Sequence, residues 1–298
     1  MRKVLKWIGI VLGVLVGLVL VAVGALYVWT ENTLNERYTI PAINIVVPTD
    51  AAAIARGQHL ATSAFLCNQC HGPDLSGGIL FEDPLSGRLA PSNLTTGKGG
   101  VGQAYTDEDW ARAIRHGVMI DGRAGISMMS NYYYQISDED LGALIAYLKH
   151  LPPVDHEVAR TRLGLMGRVF LFQAGEDLLP AKGIDHTAPR PTAPAVGVTA
   201  EYGRYLAGVC TLCHGENYAG IDAEGAPANL TPAGNLAHWT LDDFRTTLRT
   251  GTNPTGRALD PEQMPWKYIG QMTDDELAAV FLFLQSLPPE ASHAPGGP

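Results

Sequence analysis

Cysteine is scarce in this chain, with only four among 298 residues, and they form two close pairs that leave none for a further framework. Basic residues are also few: 21 lysines and arginines stand against 30 acidic residues, and the formal net charge is -9. Nucleic-acid binding requires a basic surface that neutralises phosphates. The composition therefore argues against a nucleic-acid partner. The first 30 residues contain no acidic side chain at all.

The four cysteines belong to two short motifs of the same kind. Residues 67–71 read Cys-Asn-Gln-Cys-His, and residues 210–214 read Cys-Thr-Leu-Cys-His. Two thiols three positions apart can each add across a vinyl group of one haem, while the histidine that follows is held beneath the iron. Cys-x-x-Cys-His therefore indicates c-type haem attachment, and two copies predict two covalently bound haem c groups. The candidate residues are Cys67, Cys70, His71, Cys210, Cys213 and His214.

Two other chemistries use paired cysteines. A Cys-x-x-Cys pair can be a redox dithiol, and two such pairs can chelate one zinc ion. Neither needs a histidine directly after the second cysteine, and a thioredoxin-like dithiol also requires a βαβ pattern that the flanking sequence lacks. The haem interpretation is favoured, and the downstream sequence tests it.

The N-terminus carries a long apolar run. Residues 1–6 contain three basic side chains, and residues 7–29 contain no charged one. At ~1.5 Å per residue, such a helix crosses a bilayer core of ~30 Å, whereas the apolar part of a secretory signal has only ~7 to 15 residues. Residues 1–30 are predicted to be an uncleaved, single-pass anchor in the inner (cytoplasmic) membrane. A cleaved signal, with small residues from Ala22 to Ala25, is the alternative. The positive-inside rule places the rest of the chain on the periplasmic side.

The sequence after the anchor contains one unit twice. Residues 57–61 (Gly-Gln-His-Leu-Ala) return as 203–207 (Gly-Arg-Tyr-Leu-Ala), and Pro-x-Asn-Leu-Thr occurs at 91–95 and at 227–231. From Met128 and Met264 onward the copies align without a gap, as far as the Leu-Pro-Pro that ends each one. This pattern indicates a duplicated domain.

The last helix of each copy is well marked. Ser137 and Thr273 are predicted N-caps with an acidic residue three positions later, and prolines stop the helices. Apolar residues at positions i, i+3, i+4 and i+7 then give each helix one apolar stripe. Such a stripe could enclose a large apolar group such as haem.

Both copies resemble class I cytochrome c domains. The pair is similar to membrane-anchored dihaem cytochromes related to the cytochrome c subunits of bacterial alcohol and aldehyde dehydrogenases. The resemblance implies an all-α fold, with an N-terminal transmembrane helix followed by two tandem class I cytochrome c domains. The predicted segments are an anchor (1–30), a stalk (31–51), a first cytochrome c domain (52–154, the first copy), an interdomain segment and linker (155–196), a second domain (197–290, the second copy) and a disordered tail (291–298).

The resemblance also implies the second iron ligands. In this family that ligand is a methionine between a Gly-Arg turn and the final helix, usually followed by proline. Met264 and Pro265 match this pattern. Met128 has the same spacing to its final helix but is followed by Met129, which is the alternative ligand in the first copy.

Further residues are implied around the ligands. The carbonyls of Pro91 and Pro227 are expected to accept a hydrogen bond from the second ring nitrogen of each ligand histidine. Four arginines are candidates to pair haem propionates or to brace the turn before the methionine: Arg115, Arg123, Arg249 and Arg257. The seven other histidines lack a repeated ligand spacing and are interpreted as surface or core residues.

These features predict an electron carrier with no catalytic residue. It would transfer electrons on the outer face of the cytoplasmic membrane between a dehydrogenase or quinol-oxidising complex and a terminal acceptor, such as a terminal oxidase or a soluble cytochrome. The alternative is a dihaem redox enzyme, of the peroxidase or thiosulfate-oxidising type, with one catalytic haem. A methionine at the ligand position in both copies argues against an open catalytic site, because it fills the sixth coordination position.

Overall fold

Helices make up most of the regular structure of the chain. A computed structural model describes residues 2–223 and 225–294. The helices are α1 (Arg2–Leu34), α2 (Ala51–Thr62), α3 (Cys67–His71), α4 (Asp107–His116), α5 (Ser130–Tyr133), α6 (Asp138–Lys149), α7 (Leu165–Gln173), α8 (Gly175–Leu178), α9 (Ala200–Ala207), α10 (Thr211–His214), α11 (Leu241–Thr250), α12 (Trp266–Ile269) and α13 (Asp274–Gln285). The short strands β1 (Phe81–Asp83), β2 (Gly87–Leu89) and β3 (Arg162–Leu163) form an antiparallel sheet in that order. The predicted all-α architecture is confirmed, and this small sheet is an addition to it.

Helix α1 is long and apolar enough to cross a membrane, and it continues past the predicted anchor to Leu34. The segment that follows is not a free stalk. Ile43 is only 5% exposed and belongs to the core of the first copy. The carbonyl oxygen of Val46 lies 2.2 Å from the point that a Cβ on Gly142 of α6 would occupy. The segment predicted as a stalk (31–51) thus lies partly against the first copy: Ile43 is buried, Ile40, Ile45 and Val47 are partly buried against the same core, and Val46 is 82% exposed.

The two copies contain the same helices in the same order, α2 to α6 in one and α9 to α13 in the other. Side-chain caps begin the longer helices of each copy, and the predicted caps Ser137 and Thr273 are among them. Reciprocal capping boxes are formed by Thr106 with Asp109, Thr240 with Asp243, and Thr273 with Glu276. Ser137 caps α6 through the backbone N–H of Asp140.

The first and last long helices of each copy cross at a glycine. A Cβ on Gly57 of α2 would lie 2.0 Å from the carbonyl oxygen of Ala143 in α6. A Cβ on Gly203 of α9 would lie 1.9 Å from the carbonyl oxygen of Ala279 in α13. Any larger side chain would push the paired helices apart, so each copy depends on glycine at this crossing.

The two copies meet through a buried polar network. Arg56 of α2 makes a bidentate ion pair with Asp140 of α6, at 3.0 and 3.1 Å, and donates to the Tyr202 hydroxyl of the second copy at 3.0 Å. Tyr202 in turn donates to Glu276 of α13 at 3.2 Å. The Asp140 and Glu276 side chains are only 8% and 7% exposed. Buried carboxylates require such partners, so the network favours one orientation of the copies.

This network is reciprocal between the copies. His59 of α2 lies with Nε2 2.6 Å from Oε2 of Glu276 in the second copy. Tyr205, which aligns with His59, donates at 2.8 Å to Asp140, which aligns with Glu276. Each copy thus supplies a buried carboxylate that is held by a side chain of the other.

The C-terminal tail is ordered as far as it is described. The backbone of His293 bonds to Gly220 and Asp222, at 3.0 and 2.8 Å, and forms a bridge beside Ile221. The prediction of disorder across 291–298 is therefore wrong up to residue 294, because these backbone bonds hold the segment against a loop of the second copy. Residues 295–298 lie outside the described part of the chain.

The glycine crossing gives a first prediction. Gly57→Ala or Gly203→Ala should lower the free energy of unfolding by about 1 to 3 kcal/mol, because the added methyl group is forced against a helix backbone. Urea unfolding followed by circular dichroism measures this. Gly175→Ala is the matched control, since nothing lies within 4 Å of its Cβ position. Equal stability of all three variants would contradict the role of the crossing.

The network gives a second prediction. Burial raises the pKa of Glu276, but hydrogen bonds from His59 and from the Thr273 backbone, together with the charges of His59 and Arg56, lower it from 4.5 to about 2. A depressed carboxyl pKa stabilises the fold above the unfolded pKa, and this stability is lost as pH falls through the folded pKa. The excess stability of wild type over Glu276→Gln, up to roughly 3 kcal/mol at neutral pH, should shrink between pH 4.5 and pH 2.

Urea midpoints of both proteins across this pH range provide the measurement. Asp275→Asn, at an exposed position of the same helix, is the control and should differ from wild type by a constant amount. A pH-independent difference for Glu276→Gln would show that this carboxylate is not ionised against its partners.

Candidate haem-binding sites

The first motif lies on a short helix that holds its histidine by one ring nitrogen. Cys67 and Cys70 fall on α3, one turn apart, and His71 ends it. Nδ1 of His71 lies 2.8 Å from the carbonyl oxygen of Ser92 and donates to it. Burial lowers the pKa of His71, which outweighs the opposite effect of this hydrogen bond. The imidazole is thus neutral, as a metal ligand must be, and Nε2 is the nitrogen left to bind.

The second motif repeats this arrangement. Cys210 directly precedes α10, Cys213 lies within it, and His214 ends it. Nδ1 of His214 donates to the carbonyl oxygen of Ala228 at 2.6 Å, and burial lowers the pKa of this histidine as well. Both copies therefore present the same donor set in the same local fold.

The predicted roles of Pro91 and Pro227 need correction. The histidines bond to the next carbonyl along the chain, that of Ser92 or Ala228. The proline carbonyls accept from other backbone groups, namely Gly78 N–H at 3.2 Å for Pro91 and Ile221 N–H at 2.9 Å for Pro227. In both copies the histidine acceptor is therefore the carbonyl one residue after the proline.

The asparagine of each Pro-x-Asn-Leu-Thr segment closes the loop that carries the acceptor carbonyl. Asn93 is fully buried and donates to the carbonyls of Val154 and His156, at 2.8 and 3.2 Å. Asn229 donates to the carbonyl of Glu290 at 2.7 Å. Each loop is thereby tied to the chain that follows the final helix of its own copy.

The candidate methionine ligands occupy equivalent places. Met128 and Met264 are both partly buried against the core, and each stands two residues before a short helix, α5 or α12. Met129 takes the position of Pro265: both are N-caps, with φ -76° and ψ 39° and with φ -76° and ψ 50° respectively. The backbone thus keeps the same shape without the proline, and Met128 is the counterpart of Met264.

The arginines brace the protein rather than a bound anion. Arg115 is only 1% exposed; it donates to the carbonyl of Ile136 at 2.9 Å and pairs with Asp138 at 2.6 Å. Arg249 repeats this with the carbonyl of Met272 at 2.8 Å and with Asp274 at 3.0 Å. Both therefore hold the start of the last helix.

The two Gly-Arg turns do not present buried cations. Arg123 pairs with Asp121 at 2.6 Å, and its side chain is 44% exposed. Arg257 is exposed as well. The pairing of Arg123 and Arg257 with haem propionates stays a prediction.

The cysteines do not fit the alternative chemistries. None of the four is in a disulfide, and burial raises the pKa of the Cys67 and Cys210 thiols to about 12. A reactive dithiol requires a depressed thiol pKa instead. No cluster of three or more His, Cys, Asp or Glu that could hold a metal occurs in residues 2–223 and 225–294. The two pairs thus lie apart and do not build one zinc site.

Two buried polar atoms fit a bound group near these motifs. In the described part of the chain, the indole Nε1 of Trp110 and the hydroxyl of Tyr132 are buried without a hydrogen-bond partner. Buried donors of this kind are normally satisfied. A haem, whose propionates are hydrogen-bond acceptors, is a group that could satisfy such donors.

Aromatic side chains connect the surroundings of the two motifs. Tyr133 donates its hydroxyl to the carbonyl of Phe65, and its pKa is raised by burial and then by the Cys67 and Cys70 thiols beside it. Tyr132 packs against Tyr133 with ring centroids 5.4 Å apart. A Cβ on Gly208, next to the second motif, would lie 2.7 Å from the Tyr132 ring. The pair thus fills the space from the first attachment motif to the second.

The sequence interpretation missed the residues that join the copies. His59 is among the histidines interpreted as surface or core residues, and the sequence motifs assign no role to Arg56, Tyr202 or Tyr205. A signal was present, since aligning Gly57 with Gly203 pairs Arg56 with Tyr202 and His59 with Tyr205 on one helix face.

Comparison with known families agrees with this geometry in both copies. Residues 52–148 match the family described as cytochrome C oxidase, cbb3-type, subunit III. Residues 200–288 match the family described as cytochrome c.

Curated relatives match most of the chain. The fructose dehydrogenase cytochrome subunit of Gluconobacter japonicus is 29% identical over 275 residues, which is 82% of this chain and 55% of that protein. The alcohol dehydrogenase (quinone) cytochrome c subunit of Gluconacetobacter polyoxogenes is 26% identical, over 87% of this chain and 62% of that protein. The gluconate 2-dehydrogenase cytochrome c subunit of Pantoea cypripedii is 28% identical, over 79% and 60%.

The chain thus spans little more than half the length of these relatives, which are named as cytochrome subunits of dehydrogenases rather than as the catalytic subunits. The family matches, the repeated Cys-x-x-Cys-His motifs and the two helical copies lead to one conclusion: the chain carries cytochrome c domains, of the kind that bind haem c covalently, behind an N-terminal apolar helix.

Proposed function

We propose that this chain is a dihaem electron-transfer subunit anchored in the cytoplasmic membrane by α1. It takes electrons from a membrane dehydrogenase or quinol-oxidising complex on the periplasmic side and passes them to a terminal acceptor. The observation that carries the proposal is the repeated donor set: in each copy a histidine is fixed through Nδ1 by a backbone carbonyl, and a methionine precedes an equivalent short helix.

Each residue of the proposed sites has a distinct task. The cysteines at 67, 70, 210 and 213 would form the thioether links, and His71, Met128, His214 and Met264 would hold the iron. Haem, when bound, supplies a one-electron ferric/ferrous couple whose potential a methionine ligand raises. The Nδ1 hydrogen bonds prevent the imidazole rings from rotating and fix their tautomer. The ligand geometry is therefore set before an electron arrives.

The interface between the copies supports electron exchange within the chain. The network around Asp140 and Glu276 holds the copies in one orientation. Tyr132 and Tyr133, which are 5% and 3% exposed, pack between the attachment motifs. A packed connection of this kind suits two centres that pass electrons to each other.

Charge supports the proposed topology. Arg2, Lys3 and Lys6 precede the apolar run, while Glu31 and Glu36 follow it. The positive-inside rule then leaves the N-terminus in the cytoplasm and both copies outside. The partner class is supported by the relatives, whose names are those of dehydrogenase cytochrome subunits.

Haem counting and redox titration of the purified full chain test the function. We expect two haems per chain that titrate reversibly, rapid reduction by a membrane dehydrogenase, and no turnover of peroxide or thiosulfate. Replacing both cysteines of one motif, Cys67→Ala with Cys70→Ala or Cys210→Ala with Cys213→Ala, should leave one covalent haem, as measured by intact mass. Sustained peroxide or thiosulfate turnover by the wild type would overturn the carrier proposal.

The first-copy methionine gives a separate prediction. Met128→Ala should abolish, for one haem, the weak long-wavelength absorption that reports methionine bound to ferric iron, and should lower the potential of that haem. Met264→Ala should do the same for the other haem. Met129→Ala is the matched control and should keep both signals. Loss of the signal in Met129→Ala but not in Met128→Ala would reverse the assignment.

A further inference from the structure

Helix α7, in the interdomain segment, buries a charged side chain and exposes large apolar ones, the reverse of a helix in a soluble domain. Its buried positions are Leu171, at 0% exposure, and the charged Arg168, at 8%. At ~100° per residue, the remaining apolar side chains of α7 lie within an arc of about 160° around the helix axis. Gln173 is the one polar residue of α7 in this arc. The members of this apolar face are Leu165, Met166, Val169, Phe170 and Phe172. Three of them are exposed large apolar side chains: Met166 at 50%, Phe170 at 51% and Phe172 at 64%.

The apolar face is continuous with the end of the proposed membrane span. Phe172 packs edge-to-face on Trp29 of α1, with ring centroids 5.2 Å apart. Arg168 lies over the Tyr27 ring at 4.2 Å and donates to Thr30 and Glu31 of α1, each at 2.5 Å. The inward arginine thus pairs the first acidic residue after the span and locks α7 to α1.

The position along α1 places this contact at the membrane boundary. The uncharged run of residues 7–29 slightly exceeds the ~20 residues that a bilayer core requires. Its last residues, Tyr27 to Trp29, therefore fall in the headgroup region, where tyrosine and tryptophan are enriched. Because Phe172 packs on Trp29, this part of α7 lies at the same depth.

The hairpin of β1 and β2 extends the same surface. The carbonyl of Leu85, at its tip, accepts from the Met166 N–H at 3.0 Å, and that of Ser86 accepts from Gly164 at 2.9 Å. The Leu85 side chain is 62% exposed. The second copy has no counterpart to this hairpin or to α7 among its described residues. The surface is thus specific to the first copy.

We infer that the apolar face of α7, with Leu85, inserts into the headgroup region of the bilayer and binds lipid as a second membrane contact beside α1. Contiguous exposed apolar surface of this extent marks an interaction site, and its continuity with α1 identifies the partner as lipid. The inference rests on the membrane anchoring proposed above. Its consequence is a fixed orientation, with the first copy against the membrane.

Photo-crosslinking to lipid tests this contact. The full chain, with haem attached, is placed in vesicles of phosphatidylethanolamine and phosphatidylglycerol that contain a phospholipid with a diazirine in the upper acyl chain. After irradiation, mass spectrometry maps the crosslinked peptides. We expect crosslinks in α1, in α7 and at Leu85, and none at two exposed apolar side chains elsewhere, Val196 and Leu282.

A charged variant makes the test specific. Phe170→Glu should lower the crosslinking of α7 several-fold and leave that of α1 unchanged. Leu282→Glu, which places the same charge on an exposed apolar position of the second copy, should change neither. Circular dichroism and the haem spectrum confirm that both variants are folded.

The outcomes separate the two proposals. Crosslinks in α1 without any in α7 would overturn the lipid contact and leave the anchor standing. If α7 forms no crosslinks and is protected from hydroxyl-radical labelling only when a dehydrogenase is added, the lipid contact is overturned in favour of a protein partner. Absence of crosslinks in both helices would overturn the anchor itself. Equal α7 crosslinking in wild type and Phe170→Glu would show unspecific capture and also overturn the contact.

Discussion

The close helix crossing at Gly57, repeated at Gly203, is the constraint on which both copies depend. With no side chain at these points, the backbone of α2 can lie against that of α6, and α9 against α13. The last helix of each copy is thereby held in place, and Arg115 or Arg249 ties the residues before it to the same frame. The methionine and its short helix come just before the residues that Arg115 or Arg249 holds. The position of each methionine therefore depends on the helix crossing.

The same helices also build the joint between the copies. Asp140 and Glu276 sit in the first turns of α6 and α13, where carboxylates interact favourably with helix N-termini. Each is nevertheless buried and needs a cationic or hydroxyl partner from the neighbouring copy. Burial of these groups without their partners would be costly. The copies therefore stabilise one another in one orientation rather than moving independently on a linker.

Local signals in the sequence predicted the local features of the fold. The predicted caps Ser137 and Thr273 begin helices, and the register of Met128 against Met264 is repeated in the backbone around them. These features depend on residues close in sequence, or on alignment of the repeat. Capping chemistry and duplication are sufficient to predict them.

Features that depend on distant contacts were harder to foresee. The histidine acceptor differs from the expectation by one residue, because the path of the loop, which is held by contacts distant in sequence, places the carbonyl of Ser92 or Ala228 at the ring nitrogen. The contact of His59 with Glu276 joins residues 217 positions apart, and no periodicity links them. The apolar run in α7 does not indicate which face of the helix is buried, because the buried Arg168 finds its partners on α1.

The reciprocal network also explains why two different copies stand in one chain. A homodimer of the first copy alone, built on the same two-fold relation, would bring Arg56 against a second Arg56. A homodimer of the second copy would bring Tyr202 against Tyr202 and leave each Glu276 without a cation. The exchange of Arg56 for Tyr202 and of His59 for Tyr205 thus makes the mixed pair the favoured one. Covalent linkage of the two copies then supplies that unlike partner at a fixed ratio of one to one.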